Sequence, residues 1–510
     1  MLSLLAVITT LHLTGEVPVA GGDYLLVPFT VPAGTVELAI AHDDGSASQI
    51  LDWGVWGPDG FRGWGGGLTD PAVIGVAESS RGYVNGPVAP GAWYVVVGKA
   101  QLGGVAGHYT VDVELRDAAT LTPGPRAPWA PVTLAAERRW YAGDFHVHSE
   151  DSGDAAATLD QIVDLARQRG LDFVVLSDHN TTAQIPRLAA RQVGLTDLLL
   201  VRGAEVTTYH GHANAIGTGT YVDHRVGLDG VGAPTIAAAV AAQGGALIVN
   251  HPALDLGDTC IGCAWRHDDT PWDQVAGLEI QTGNADLTAA IFTPRAILLW
   301  DAQLAAGHRL AAIGGSDDHR AGRDTGATAA RLGSPTTMVR ADALSEAGLL
   351  AAVAAGRTVV KLRGPDDPMV ELTAIDVDDP ARVAAIGDTL DGPARVELVA
   401  TVTGAAAEGA NAELWLDGAL VAAADVHGGE VRFARDASGA LERYRIELYV
   451  AGARATVTSH VFVHGVATAC ANDSECGAGG CCQTGGGGGG AALVVAVLTL
   501  AAIGRRRLRV

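Results

Sequence analysis

The amino-acid sequence predicts a multidomain protein in which a central α/β domain is flanked by two all-β sandwich domains. The chain has 510 residues, more than a single hydrophobic core usually serves. Hydrophobic residues make up 48% and charged residues 18%, which is the composition of a globular protein. Short apolar runs separated by turn residues occur on both sides of a middle section, in which apolar runs alternate with helical segments.

Changes in composition divide the chain into seven predicted sections. They are a segment at 1–10 that could be a truncated signal, a β-sandwich at 11–117, a Pro-rich linker at 118–139, the central α/β domain at 140–365, an immunoglobulin-like β-sandwich at 366–465, a Cys/Gly-rich linker at 466–490, and an apolar segment with an Arg cluster at 491–510.

The two β sections have the strand spacing of sandwiches. Tyr24–Val31 and Trp93–Val97 exemplify the first section, and Val396–Val402 and Arg443–Val450 the second, with Gly, Pro and Asp turns between such runs. The tryptophans of the first section, Trp53, Trp56 and Trp64, could mark a carbohydrate-binding face, although packing inside a Gly-rich sandwich is the favoured interpretation.

The middle section alternates strands and helices. Thr158 and Gln161 form a capping box for a first helix, and Phe173–Leu176 follows as a short buried strand. Further helices are predicted at Ile236–Ala242 and Pro294–Ala306, the latter with Thr293 as N-cap. This alternation predicts a parallel sheet covered on both faces, either open or closed into a barrel.

Groups that can bind metals recur directly after or within the predicted strands. In His146-Val147-His148, both imidazoles point to the same side of an extended segment, because side chains alternate along a strand. Further clusters follow along the chain: Asp178-His179, Glu205, His210 and His212, Asn250-His251, Glu279, and Asp317-Asp318-His319.

The placement of these clusters indicates a metal centre. The carboxyl ends of parallel strands form the face on which α/β enzymes assemble their sites. Mixed imidazole and carboxylate ligands suit Zn, Mn or Fe better than Ca or Mg. A carboxylate such as Glu205 could bridge two ions, and two metals together can hold an attacking hydroxide.

The motifs of residues 140–363 resemble those of the PHP (polymerase and histidinol phosphatase) superfamily, and more closely its carbaryl-hydrolase-like branch. The resemblance implies a distorted (β/α)7 barrel that holds two or three divalent transition metals. The matching motifs are Gly143-Asp144-Phe145-His146-Val147-His148-Ser149, Ser177-Asp178-His179-Asn180-Thr181, Gly203-Ala204-Glu205-Val206, Gly211-His212-Ala213-Asn214-Ala215-Ile216-Gly217, Asn250-His251-Pro252 and Gly315-Ser316-Asp317-Asp318-His319. The implied metal ligands are His146, His148, His179, Glu205, His251, Asp317 and His319.

The resemblance also bears on the neighbouring residues. The resemblance implies a further ligand from the loop after His148, where Asp154 is preferred to Asp151. Glu279 stands where many members have another histidine and is expected to replace it as a metal ligand. Asp144 and Asp178 are expected to orient neighbouring histidines. His210 or His212 could assist the leaving group, and Asp178 and His212 are the candidate catalytic residues.

The expected function is hydrolysis of a small-molecule ester by a metal-bridged hydroxide. The superfamily implies phosphoesters, and its closer branch implies carbamates or carboxyl esters. A phosphatase needs a basic clamp, for which Arg202, Arg320 and Arg323 are candidates. A non-catalytic surface binding protein is the alternative of another class. With a formal net charge of −23, the chain is not expected to bind nucleic acid.

The cysteines and the C-terminal segment predict an exported protein. Cys260 and Cys263 are expected to form a local disulfide near the active site. The Cys/Gly-rich segment, the apolar stretch Ala491 to Ile503 and the arginines after it resemble a surface-sorting tail processed by a membrane protease. We therefore expect a mature protein held at the outer surface or envelope through its C-terminal membrane segment.

Overall fold

The computed structural model describes residues 9–257, 260–323 and 329–466. Most of the expected signal at 1–10, nearly all of the Cys/Gly-rich linker and the whole apolar segment at 491–510 lie outside these ranges. Within them, no helix combines the length and the apolar character that crossing a membrane requires.

Eight strands form a two-layered N-terminal section. They are β1 (Thr9–Val17), β2 (Tyr24–Val31), β3 (Glu37–Asp43), β4 (Ile50–Gly57), β5 (Gly60–Gly66), β6 (Ala72–Gly75), β7 (Gly91–Gln101) and β8 (Gly107–Arg116). Their order is β1-β8-β3-β6 in one four-stranded sheet and β2-β7-β4-β5 in the other. Both sheets contribute to one core, to which β3 gives Leu38 and β7 gives Trp93. Trp53, Trp56 and Trp64 are buried, as the packing interpretation expects.

The middle section carries the motifs on a mixed sheet. Its strands are β9 (Thr133–Ala135), β10 (Arg139–Val147), β11 (Phe173–Leu176), β12 (Leu199–Thr208), β13 (Gly211–Ile216), β14 (Ala246–Val249), β15 (Val275–Thr282), β16 (Ala311–Gly315), β17 (Thr336–Ala341), β18 (Leu344–Ser345) and β19 (Thr358–Lys361). Its helices are α1 (Leu159–Gln168), α2 (Ile185–Gln192), α3 (Ala233–Ala242), α4 (Ala285–Thr288), α5 (Phe292–Ala305) and α6 (Glu346–Ala354).

The predicted central (β/α)7 barrel between two separate sandwiches is wrong. Strands greatly outnumber helices in the described residues. The middle strands other than β9 and β18, which pair with each other, belong to one 15-stranded sheet that continues into the C-terminal section. Only Tyr209 and His210 connect β12 to β13, which is too short for the crossover that parallel strands need, so the two pair antiparallel. β17 also pairs antiparallel with both β10 and β19. These pairings break the repeated β/α unit.

Two helices show how far local signals specify the elements. The capping box of α1 forms as predicted, with Thr158 accepting from the Gln161 backbone N–H. The predicted start of the later helix is wrong, because α5 begins at Phe292 and its N-cap is Ile291. Thr293 lies inside the helix, where its hydroxyl donates to the buried Gln281 side chain instead of capping. Tertiary packing of Phe292 in the core therefore outweighs the local capping signal.

The C-terminal section is a second two-layered β structure. Its strands are β20 (Met369–Asp376), β21 (Val383–Ala385), β22 (Thr389–Asp391), β23 (Arg395–Thr403), β24 (Asn411–Leu416), β25 (Ala419–Asp425), β26 (Glu430–Asp436), β27 (Leu441–Val450), β28 (Ala453–Thr458) and β29 (Val461–His464). One sheet has the order β21-β20-β23-β26, and the other strands extend the central sheet, because β28 pairs with β19. The structure therefore shows continuous strand pairing across the predicted boundary between 365 and 366.

A buried ion-pair network joins the middle and C-terminal sections. Arg445 on β27 is almost fully buried, and its guanidinium pairs with Asp301 on α5 at 2.5 Å and with Glu447 at 2.8 Å. Glu447 is equally buried and is also paired with Arg454 at 2.8 Å. Removing one member of such a network leaves a buried charge without its partner, which is strongly destabilising.

We expect Arg445→Met to lower the free energy of unfolding by about 3 kcal/mol, because it removes a buried cation that two carboxylates need. Urea denaturation of the parent protein and of each variant measures the change. Arg432→Met is the matched control, since Arg432 also pairs with two carboxylates, Glu430 and Glu397, but is about half exposed. It should change stability by less than about 1 kcal/mol. Equal losses in the two variants would contradict the importance of burial.

Candidate metal centre

The predicted ligands converge at one end of the central strands. His146 lies on β10 and His148 follows it; His179 follows β11, Glu205 lies on β12, His251 follows β14, and Asp317 and His319 follow β16. Hydrogen bonds between the loops bring the last of these strands to the first. The Asp317 N–H donates to the His146 carbonyl at 2.8 Å, and the His148 N–H donates to the Asp318 carbonyl at 3.0 Å.

Three buried side-chain atoms that could bind a metal lie close together without hydrogen-bond partners. Within the described part of the chain, His146 Nε2, His148 Nε2 and Asp317 Oδ1 make no hydrogen bond of acceptable geometry. Asp317 Oδ1 lies 3.3 Å from His146 Nε2 and 3.0 Å from His148 Nε2. Four ligands about 2.0–2.1 Å from a tetrahedral ion stand roughly 3.3 Å apart. Because buried polar atoms are seldom left unpaired, this cluster fits a cation that binds all three.

Glu205 connects this cluster with two further groups. Its Oε1 lies 3.3 Å from His146 Nε2, 3.3 Å from His251 Nε2 and 3.5 Å from His212 Nδ1. Its Oε2 lies 2.7 Å from His179 Nδ1. The carboxylate is fully buried, and the surrounding imidazoles, chiefly His146 and His179, outweigh burial and hold its pKa well below the usual range. Glu205 is therefore placed to be shared between metal positions.

A third group forms around the loop residue Asp154. Asp154 Oδ2 lies 3.5 Å from His179 Nε2 and 3.4 Å from His319 Nε2, and the two imidazole nitrogens are 3.4 Å apart. One ring nitrogen of His148 also lies near this pair. Burial, assisted by the neighbouring His319 and His179, lowers the pKa of His148 to about 3. His148 is then neutral, which is the form that binds metals.

Glu279 has a different role from the expected substitution for a histidine ligand. Its Oε1 lies 3.0 Å from His146 Nδ1, and its Oε2 accepts from the His251 backbone N–H at 2.8 Å. Both carboxylate oxygens thus hold ligand residues, and Glu279 belongs to none of the metal-ligand groups of the described residues. Because a carboxylate only accepts, His146 must carry its proton on Nδ1, which leaves Nε2 free for a metal.

Asp144 and Asp178 lie behind the ligands. Asp178 accepts from the Ser149 N–H at 2.7 Å and from the Ser152 hydroxyl at 2.8 Å, and Ser152 Oγ lies 3.0 Å from His148 Nδ1. Burial raises the pKa of Asp178 to about 6. Asp144 accepts from the N–H groups of His146 and Ser316. Asp178 therefore positions His148, and the contacts do not support the candidate catalytic role given to Asp178.

The two histidines that could assist the leaving group lie in different surroundings. His210 lies at the surface, with its Nε2 at 3.1 Å from Asp23. His212 lines the cavity, but both of its ring nitrogens are directed at protein groups: Nε2 at the Ile261 carbonyl, 3.2 Å away, and Nδ1 at Glu205. Neither arrangement leaves a nitrogen directed at a leaving group. His212 instead joins the Glu205 cluster.

A cavity of about 1090 Å³ opens over the cluster and includes Glu205, Asp317 and His319 in its lining. One wall comes from the N-terminal section, which contributes Asp52 and Trp64. The Tyr209 hydroxyl donates to Asp52 Oδ2 at 2.7 Å, which ties this wall to the β12–β13 turn. Burial raises the pKa of Asp52 to about 6, although Tyr209 donates to it. No short motif in the sequence marked Asp52 as a site residue.

The arginines of the site are only partly those proposed from the sequence. Arg320 and Arg295 line the cavity. Arg202 instead pairs with Glu346 at 3.1 Å, and Arg323 donates to backbone carbonyls of Arg320 and Ala156. Sequence reasoning missed Arg295. Its position near the start of the long helix that follows the strand of Glu279, after the short α4, is the signal that could have identified it.

No protein-family model, curated protein or solved structure matches this chain. The chemistry of the site is therefore inferred from its own residues. Several groups of His, Glu and Asp residues could hold a metal ion, and the hydrogen bonds behind them fix the orientation of the imidazoles.

We expect Glu279→Gln to weaken zinc binding by about 10–100-fold, the usual cost of losing a group that orients a metal ligand. The amide can present only one oxygen, so it cannot accept from both His146 and the His251 N–H. A competition titration with a chromophoric chelator measures the affinity. Glu346→Gln is the control, because Glu346 pairs with Arg202 and is not among the cavity-lining residues. Unchanged affinity in Glu279→Gln would contradict its orienting role.

Proposed function

We propose that this protein is a metal-dependent hydrolase that cleaves small esters, with phosphoesters as the favoured substrates. The observation that carries the proposal is the meeting of three buried, unpartnered donor atoms, on His146, His148 and Asp317, beneath a cavity large enough for a small molecule. The order of the motifs, which resembles that of the PHP superfamily, also supports the proposal.

The donor set supports two or three divalent transition metals. Imidazoles and carboxylates in these proportions suit Zn, Mn or Fe. One possible group consists of His146, His148 and Glu205, and a second of His146, His251 and Asp317. Glu205 Oε1 also lies 3.3 Å from His251 Nε2, and a further group gathers around His179 and His319. The Glu205 carboxylate lies among these imidazoles, and each ion would attract the nitrogen lone pairs that otherwise face one another.

The mechanism assigns each residue a separate task. Divalent ions held here would supply Lewis acidity and activate a water molecule at neutral pH. Glu279 and the Asp178–Ser152 pair hold the imidazoles of His146 and His148, and Glu205 connects the ligand groups. The cavity walls orient the substrate, because Arg295 and Arg320 can bind negatively charged oxygens near the ligands.

A carbamate or carboxyl ester is the second candidate substrate, and the cavity lining favours it in one respect. Leu254, Ile291 and Phe292 also line the cavity and suit an apolar leaving group such as an aryl alcohol. Arg295 favours the phosphoester, since it makes no ion pair or hydrogen bond with the residues that the structure describes. A protein that binds metals but hydrolyses neither class would instead be the surface binding protein considered from the sequence.

We expect His146→Ala and Asp317→Ala to abolish hydrolysis, because each removes a donor atom from the central ligand cluster. The measurement is a screen of the Mn- and Zn-loaded protein against phosphomonoesters, phosphodiesters and aryl carbamates, with metal content determined in parallel. His427→Ala is the control, since His427 is exposed and paired with Glu408 on the C-terminal section. Wild-type turnover in either site variant would remove that residue from the proposed mechanism.

We expect Arg295→Ala to distinguish the two substrate classes. It should raise KM for phosphomonoesters about tenfold, the effect of losing a charge-assisted hydrogen bond of about 1.5 kcal/mol, and leave KM for neutral aryl carbamates within about twofold. Arg323→Ala, which removes a nearby guanidinium that is not among the cavity-lining residues, is the control. An equal effect of Arg295→Ala on both classes would show that it does not bind phosphate.

A further inference from the structure

The loop that contains Cys260 and Cys263 contacts two histidines of the metal centre. His212 Nε2 lies 3.2 Å from the Ile261 carbonyl, and His251 Nδ1 lies 3.1 Å from the Cys263 carbonyl. A carbonyl oxygen only accepts, so each imidazole must donate through that nitrogen. In the neutral imidazole, which is the form that binds metals, the opposite nitrogens, His212 Nδ1 and His251 Nε2, carry the lone pairs, and they lie 3.5 Å and 3.3 Å from Glu205 Oε1.

The Cys263 sulfur lies beside the same two imidazoles. One ring nitrogen of His212, one of His251 and the Cys263 sulfur all lie within 4.8 Å of one another. All three residues are buried, with Cys263 only 2% exposed. His212 Nδ1 is buried without a hydrogen bond in the described part of the chain, which is a second and independent sign that a ligand is expected there.

We propose that His212, His251 and Cys263 form a metal position whose sulfur ligand is available only when the Cys260–Cys263 pair is reduced. The position adjoins Glu205 and therefore rests on the metal centre of the proposed function. Cysteine and histidine together are a common zinc donor set, and the thiolate favours softer ions than carboxylates do.

The two cysteines lie at disulfide-bonding distance, with their Cα atoms 5.6 Å apart. In the disulfide, the Cys263 sulfur carries no negative charge and is a poor ligand. An external dithiol supplies two electrons and two protons, which cleave the S–S bond into two thiols while the dithiol itself becomes a disulfide. The Cys263 thiol releases its proton when it binds the metal. Cys260 belongs to none of the metal-ligand groups of the described residues and serves as the redox partner.

Cobalt loading of the full chain tests this proposal, because a thiolate ligand gives Co²⁺ a charge-transfer absorption that imidazole and carboxylate do not. Cys260→Ser leaves the Cys263 thiol permanently free, and Cys263→Ser removes the sulfur, so the two form a matched pair. Cys470, Cys476, Cys481 and Cys482 are present in every variant, and their contribution cancels in the difference spectra.

We expect Cys260→Ser to show the thiolate band without reductant and the parent protein to gain it only after treatment with a dithiol. Cys263→Ser should lack it in both states, and His212→Ala in the Cys260→Ser background should lose most of it. If the reduced parent protein and Cys260→Ser both bind cobalt but give the spectrum of Cys263→Ser, Cys263 is not a metal ligand. The proposed hydrolase function is not affected by that result. If no variant binds cobalt, the metal centre itself fails, and both proposals fall.

Discussion

A single buried carboxylate, that of Glu205, is the constraint on which the site depends. Placing an ionised carboxylate in a protein interior costs several kcal/mol unless partners compensate it. Here the compensation comes from imidazoles that follow or lie on different strands: His146, His179 and His251 approach its two oxygens, and Asn250 donates to Oε1 at 2.8 Å. Glu205 can remain charged only if all of these strands are paired in register, so the chemistry of the centre and the packing of the sheet are not independent.

The loops at this end of the sheet hold backbone conformations that non-glycine residues rarely adopt. His251 has φ 26° and Asp317 has φ 57°, both on the left-handed side, and each such residue costs on the order of 1–3 kcal/mol. The strain is offset locally by hydrogen bonds of the same residues. The His251 N–H donates to Glu279, and the Asp317 N–H donates to the His146 carbonyl. The groups that orient the ligands therefore also stabilise the backbone that presents them.

The alternation of side chains along a strand was sufficient to predict those parts of the site that depend on one strand alone. The alternation of side chains along β10 places His146 and His148 on one side, and their Nε2 atoms do approach the same carboxylate oxygen of Asp317. The role of Glu279 could not be derived in this way, because it depends on two separate arrangements. β15 pairs with β14, which precedes His251, and His146 approaches Glu279 from β10, a strand that does not pair with β15. The direction of the strands was also not predicted. The two-residue connection after Thr208 makes β13 antiparallel to β12, which is incompatible with the repeated parallel strands of the predicted barrel.

The N-terminal section shows why the cavity had no signature in the sequence. Asp52 and Trp64 lie about a hundred residues or more before most of the ligands, and no short motif relates them to the histidines. Their place in the wall follows from docking contacts between sections: Tyr209 donates to Asp52, Thr181 donates to the Gly82 carbonyl, and Arg187 pairs with Glu78. These contacts come from the loop after β11, from α2 and from the β12–β13 turn. The loop that presents His179 and the turn that precedes His212 therefore also contact the N-terminal section. The arrangement of the histidines and access to the cavity are thus coupled, and a change in how the N-terminal section docks would alter the candidate metal centre as well as the cavity above it.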